Sequence, residues 1–408
     1  MDLIVSAVLL LSAPLSIAVY LLGIAYRPKL WKKYTYLLVL SLAAIAYAYK
    51  PYGSPDLERY FEQLAECAKR SLSEVFALYG DSLYLRSILF WVLAKLGLGQ
   101  LLPALTALCV YGAAAMITND TTSRQEADQY TLYCTAFWLC MLPFFVVINN
   151  VRNVSAFAIA LMAVYADLVK KERNLFVYIL YIVPCLIHPS AILLLALRIL
   201  VRFAGKGKLI IAFLTLFIPA LIDFMYAKSD FFLRFGPVGR IINSAVGLAY
   251  GYKTGDRAGA WAQQVLNSGF QKANRLVMMS LAILVILLIV VMQGYIKTEY
   301  RRYIDYLFLL NVAVLACNIF TTPQYWRFSA AANIAAAPLL ALGLKRRKEL
   351  PFYFRPILYL ILLYPFMGLI LQLWYSRYLV DYGQFLPQAM VTNIYTILWD
   401  IVRAIALH

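Results

Sequence analysis

The lysines and arginines of this chain are bunched, at residues 27–33, 170–173, 198–208, 297–302 and 345–355, and long apolar runs separate the bunches. A run of ~20 apolar residues is what a helix needs to cross a bilayer, and lipid leaves the backbone no partner outside the helix itself. The chain is 63% hydrophobic and only 14% charged, more apolar surface than a soluble domain can cover. These features predict an all-α polytopic membrane protein. No long polar linker divides the chain, so a single transmembrane domain over residues 1–408 is expected. Residues 1–25 are apolar but start Met1-Asp2 with no basic segment, which predicts a retained first helix and not a cleaved signal. Five of the six cysteines fall in apolar runs and Cys67 stands alone in a polar one, a pattern without a disulfide framework or metal-ligand spacing. The net charge of +17 points to anionic lipid or an anionic substrate.

Basic clusters mark the cytoplasmic side. The polar stretch 51–82 must then lie outside. Residues 83–98 are apolar but short and carry Arg86 and Lys95. If they lie along the outer interface as an amphipathic helix, every later basic cluster falls on the cytoplasmic side with the first; if they cross, all four flip. The interfacial arrangement predicts twelve spans, at about 3–25, 34–49, 100–118, 130–148, 152–169, 174–187, 189–203, 209–226, 276–296, 303–320, 328–344 and 356–376. Asp400 and Arg403 favour an outer-face amphipathic helix over a thirteenth span at 386–405. The outer loops are 51–98 and 227–275.

Spacing then places particular side chains outside. Eighteen helical residues lead from the 170–173 turn back to Arg152, and about fourteen lead forward from it to His188, where Pro189 breaks the run. Arg327 mirrors Arg152 at the outer start of the 328–344 run. Between them, loop 227–275 carries seven Lys or Arg, including Arg234 and Arg240, against Asp230 and Asp256. Such a basic outer loop suits a phosphate, which guanidinium forks bind bidentately. Tyr250, Tyr252, Trp261 and Tyr325 are candidate platforms for sugar rings. Each residue also has a plain structural alternative. Arg152 and Arg327 can be snorkelling anchors, His188 a hydrogen-bonded helix break and Asp56 a solvated loop charge. No internal repeat of the transporter kind is visible.

The succession DLERY, VRNVSAFAIAL, KKER, LIHPSAILLL and WRFSAAANIAAAPLLAL resembles the EpsG-like, Wzy-type polysaccharide polymerases over most of the chain by order and spacing. Asn153 departs from it, since many members carry Gln there. The resemblance implies a GT-C-like membrane glycosyltransferase of the bacterial plasma membrane with its active site facing outward. Donor and acceptor would be undecaprenyl-diphosphate-linked oligosaccharides, polymerised into capsule, O-antigen or exopolysaccharide. It also implies flippase and chain-length-regulator proteins as partners, and an acid in the first outer loop, which Asp56 matches. Arg152, Arg327 and Arg240 or Arg234 would stabilise the leaving diphosphate without a metal or other cofactor. The base is Asp56 or His188, a choice the residues leave open. No nucleic-acid partner is expected. An O-antigen ligase, with the same donor, and a lipid-linked oligosaccharide flippase are the alternatives.

Overall fold

A computed structural model of the chain describes residues 6, 11–52, 55–79, 84–188, 190–203, 207, 209–210, 212–213, 217–236, 239, 243, 246–247, 250–251, 268–320 and 325–407. Every regular element among them is helical. The first part of the chain forms α1 (Ala13–Tyr26), α2 (Thr35–Ala48), α3 (Pro55–Ala68), α4 (Leu72–Tyr79), α5 (Tyr84–Lys95) and α6 (Leu101–Arg124). Next come α7 (Thr131–Met141), α8 (Phe144–Asn149), α9 (Val151–Tyr165), α10 (Leu175–Ile187), α11 (Ala191–Leu200) and α12 (Ile218–Ala227). The last are α13 (Gly269–Val291), α14 (Thr298–Phe320), α15 (Tyr325–Ala335), α16 (Ala337–Lys345), α17 (Arg355–Leu379), α18 (Tyr382–Val391) and α19 (Ile394–Leu407).

Four helices among the described residues are long and apolar enough to cross a membrane: α6, α9 with its π-helical extension to Lys170, α13, and α17 with its leading turn. The number rises to six if the bent pairs α15–α16 and α18–α19 each count as one span. Other predicted spans are shorter apolar helices (α1, α10 and α11) or, in α14, a long helix diluted by Glu299, Arg301, Arg302 and Asp305. Leu363, Phe366, Ile370 and Leu373 are all more than half exposed along one stripe of α17. Water does not tolerate an apolar stripe of that length on a monomer.

Three predicted runs depart from straight helices, each for a local reason. The run 130–148 breaks between α7 and α8 because Pro143 cannot donate to the turn before it. The run 328–344 bends by 48° ahead of Pro338. The run 386–405 is not one straight helix. It bends by 86° at Thr392–Asn393, where Asn393 accepts the Thr396 N–H at 3.1 Å and so starts α19 afresh. Helix α5 is a single short element. Its 12 residues extend ~18 Å, well short of a ~30 Å hydrocarbon core. It is tied back to the preceding helices by Trp91, donating to the Arg70 carbonyl at 3.1 Å, and Lys95, donating to the Ala68 carbonyl at 2.8 Å. Ser71 and Glu74 begin α4 as a capping box, and the Ser71 N–H and hydroxyl hold the Glu74 carboxyl below its ordinary range.

The chain divides into two compact units. One comprises Met1–Leu195, Asn333–Glu349 and Pro365–His408, the other Ala196–Ala332 and Leu350–Tyr364. The path passes between them several times, so no single linker marks the division in sequence. In the first unit, α2, α6, α9 and α10 pack in that order. Buried alanines (43, 44 and 46 on α2; 104, 107 and 113–115 on α6; 156, 158 and 160 on α9) let these backbones approach closely.

Contacts sort the first unit's loops onto two ends. At one, Lys32 pairs with Asp128 at 2.5 Å, Asn119 donates to Thr35 Oγ1 at 2.6 Å, and Lys345 donates to the Gln125 carbonyl at 2.5 Å. Arg347 bonds Tyr130, and Tyr165 donates to Asp120 at 2.8 Å. The basic clusters around 32, 170 and 345 therefore share this end. At the other, Tyr49 donates to the Leu379 carbonyl at 2.8 Å, Asn149 donates to Tyr49 at 3.2 Å, and Arg152 meets Tyr60.

Candidate functional site

Asn150, with φ −102° and ψ 44°, turns the chain out of α8 and starts α9, so that Arg152 sits in the first turn at the end opposite the basic clusters. Its Nε donates to the Tyr60 hydroxyl at 3.0 Å, and the guanidinium carbon lies 5.2 Å from the centre of the Tyr60 ring. The guanidinium makes no other hydrogen bond or ion pair to a described residue, so its two terminal nitrogens are open to a ligand. A snorkelling anchor would need no such fixing.

Tyr60 can hold the arginine because it is itself held. Helix α3 buries Leu57, Tyr60, Leu64 and Cys67, one stripe at helical spacing. The edge-on ring of Phe90 on α5 packs against Tyr60 at 5.8 Å. The same helix carries Asp56 one turn before Tyr60, and Asp56 accepts from Arg59 at 2.8 Å. Asp56 also lies close enough to Tyr375 on α17 for its charge to act on that phenol. The predicted helix-end cation thus contacts Tyr60 on the helix that also carries the predicted first-loop acid, within one unit. Tyr60, Arg59 and Tyr375 escaped the reading of the sequence. The signal was present in DLERY, whose Asp, Arg and Tyr at i, i+3 and i+4 must share a helical face.

His188 has a different part. It ends α10 with an extended backbone, φ −150° and ψ 125°, and its N–H reaches the Pro184 carbonyl at 2.9 Å. Its Nδ1 accepts from the Ser190 amide at 3.2 Å and lies 2.5 Å from the Ser190 hydroxyl. An Nδ1 that accepts an amide hydrogen is unprotonated, which puts the neutral ring's proton on Nε2. Nδ1 thus takes part in starting α11, the hydrogen-bonded helix break that the sequence also offered for His188. We expect His188→Asn, whose Oδ1 can take over the Nδ1 acceptor position, to fold and function near normally. His188→Leu should lower the folded yield through loss of a cap typically worth ~0.5–2 kcal/mol. Comparing the two variants for folded protein and for product checks this; a well-folded, inactive His188→Asn would return the base to His188.

The remaining predicted residues belong to the second unit. Arg327 lies in the first turn of α15 and is partly buried. Tyr325 is a correction. Only 1% of it is exposed, its hydroxyl donates to Gln271 at 2.6 Å and accepts from Asn274 at 2.9 Å, and Arg275 lies 6.0 Å from the ring centre. A ring so enclosed offers no face to a sugar. Tyr250 has one face covered by Tyr226, stacked at 3.8 Å with the rings 3° from parallel. Arg234 is exposed; its backbone N–H donates to the Phe231 carbonyl at 3.3 Å, and its side chain makes no hydrogen bond or ion pair to a described residue. Arg240, Tyr252 and Trp261 lie outside the described residues.

Comparison with protein-family models, with curated proteins and with solved structures finds no match.

Proposed function

We propose that this chain is a membrane glycosyltransferase of the polysaccharide-polymerase kind, with twelve spans and a GT-C-like arrangement, acting on lipid-diphosphate-linked oligosaccharides outside the cytoplasm. The observation that carries the reading is Arg152, fixed by Tyr60 with its terminal nitrogens open, within reach of the helix that bears Asp56. A cation pinned by its Nε presents an in-plane fork of N–H groups, the shape that binds phosphate oxygens. Asp56, one turn before Tyr60 on the same helix, supplies the other group that glycosyl transfer from a diphosphate needs.

In this mechanism the bond between the donor's anomeric carbon and the diphosphate oxygen breaks, and a bond from that carbon to the acceptor hydroxyl forms. Asp56 takes the hydroxyl proton. The diphosphate leaves on its lipid, its growing charge met by Arg152. The chemistry assigned to these residues needs no metal.

Deletion in the native host, with the surface glycan resolved on a gel, tests the reading. A polymerase defect leaves single repeats on the surface. Complete loss of surface glycan would indicate a flippase instead, and polymer retained on undecaprenyl diphosphate a ligase. Orientation has its own check, by single cysteines in a cysteine-free background. An impermeant maleimide applied to intact cells should label Asp256→Cys and spare Lys171→Cys, and the reverse pattern would turn the site to the wrong side.

A further inference from the structure

The ring of Tyr60 carries a second cation. The Arg59 guanidinium carbon lies 5.7 Å from its centroid and that of Arg152 lies 5.2 Å from it, so the two are less than ~11 Å apart. One diphosphate with a pair of ~2.8 Å charge-assisted hydrogen bonds at each end can bridge such a span. The two cations differ in how they are now occupied. Arg152 offers its Nη1 and Nη2, since Tyr60 has taken Nε. Arg59 is paired with Asp56, and the side chains of that pair are 54% and 40% exposed. An ion pair so wetted opens at little cost.

We propose that Arg59 and Arg152 form a two-guanidinium clamp for a diphosphate group, with Tyr60 as their shared positioning residue and Asp56 as the placeholder that Arg59 exchanges for the ligand. The clamp rests on the glycosyltransferase reading for its substrate, but not for its geometry. The exchange has a chemical consequence. When Arg59 swings to the phosphate, the Asp56 carboxylate is released from its ion pair and can accept the hydrogen bond of an acceptor hydroxyl. Binding of the donor would thereby switch the base on.

The test is calorimetric titration of inorganic pyrophosphate into the purified full chain in detergent micelles. Arg59→Gln and Arg152→Gln should each weaken binding about tenfold or more, the loss expected for charge-assisted bonds. Arg59→Lys should recover part of the loss. Tyr60→Phe keeps the ring but releases Nε, and should cost about threefold; Tyr60→Leu should cost as much as Arg152→Gln. Arg59 is exposed, so Arg59→Gln is the decisive variant, with an unchanged elution volume and melting temperature as its folding control. Wild-type affinity in Arg59→Gln, or no binding of pyrophosphate to the wild-type chain, overturns the clamp. The two proposals fail separately. Arg59-dependent binding in a chain whose deletion leaves glycan length unchanged removes the polymerase and keeps the clamp. Arg59-independent binding with a single-repeat glycan after deletion does the reverse.

Discussion

Arg152→Lys should lower chain elongation roughly 100- to 1,000-fold at wild-type protein levels, the range found when one donor to a developing oxyanion is removed. The charge survives in this variant; what changes is its form. Arginine is held through Nε by the Tyr60 hydroxyl at 3.0 Å and still has a planar pair of N–H groups to offer. A lysine ammonium reaching the same hydroxyl would spend its one nitrogen there, and reaching the ligand it would lose its anchor. Either way it delivers a mobile point charge. The check is the length distribution of surface glycan in a deletion host complemented with each variant, beside immunoblots for protein level. Wild-type chain lengths from Arg152→Lys would remove Arg152 from the site and leave it as an interfacial anchor.

The parts of this structure that were legible in sequence are those set by local composition. Lys32, Lys170 and Lys345 come to one end of the first unit because each lies in a basic turn between apolar runs, and that bunching is visible without any contact being known. The same counting from the 170–173 turn put Arg152 at the opposite end. That residues 83–98 form a short helix of their own was legible through their length. The misses depend on partners far away in the chain or on one backbone angle. Nothing near Tyr325 announces that Gln271 and Asn274, about fifty residues earlier, close over its hydroxyl. A hydrogen-bonded helix break at His188 was among the readings of the sequence; that the Ser190 amide is its partner follows from an extended ψ which the sequence does not announce. Pro143 was in plain view, but the apolar run on both sides concealed that it separates α7 from α8. Tyr60 was hidden by abundance. The chain has 31 tyrosines, and only a contact with Arg152 picks one of them out.

Asp56→Asn should separate binding from chemistry. Asparagine keeps the size of the side chain and one acceptor oxygen, so α3 should fold and Tyr60 should still hold Arg152. It cannot take a proton from an acceptor hydroxyl, and loss of a general base typically costs ~10²–10⁴ in rate. Elongation should fall by about that factor. Anion binding should move the other way, because Asp56 is the group that Arg59 must release at 2.8 Å before it can reach a phosphate, and the neutral amide competes more weakly. Tighter or unchanged pyrophosphate binding together with lost elongation is therefore the expected pair of results. A purely structural role for Asp56 predicts that the two fall together, with a lowered melting temperature. The comparison with His188→Asn completes the assignment, since His188 has its basic nitrogen committed to Ser190 and should tolerate a replacement that Asp56 does not. If Asp56→Asn elongates at the wild-type rate, no carboxylate on α3 acts as base. Proton removal from the acceptor would then follow cleavage of the diphosphate bond instead of accompanying it, and the arginine fork on Tyr60 would be left to lower the barrier by stabilising the departing diphosphate.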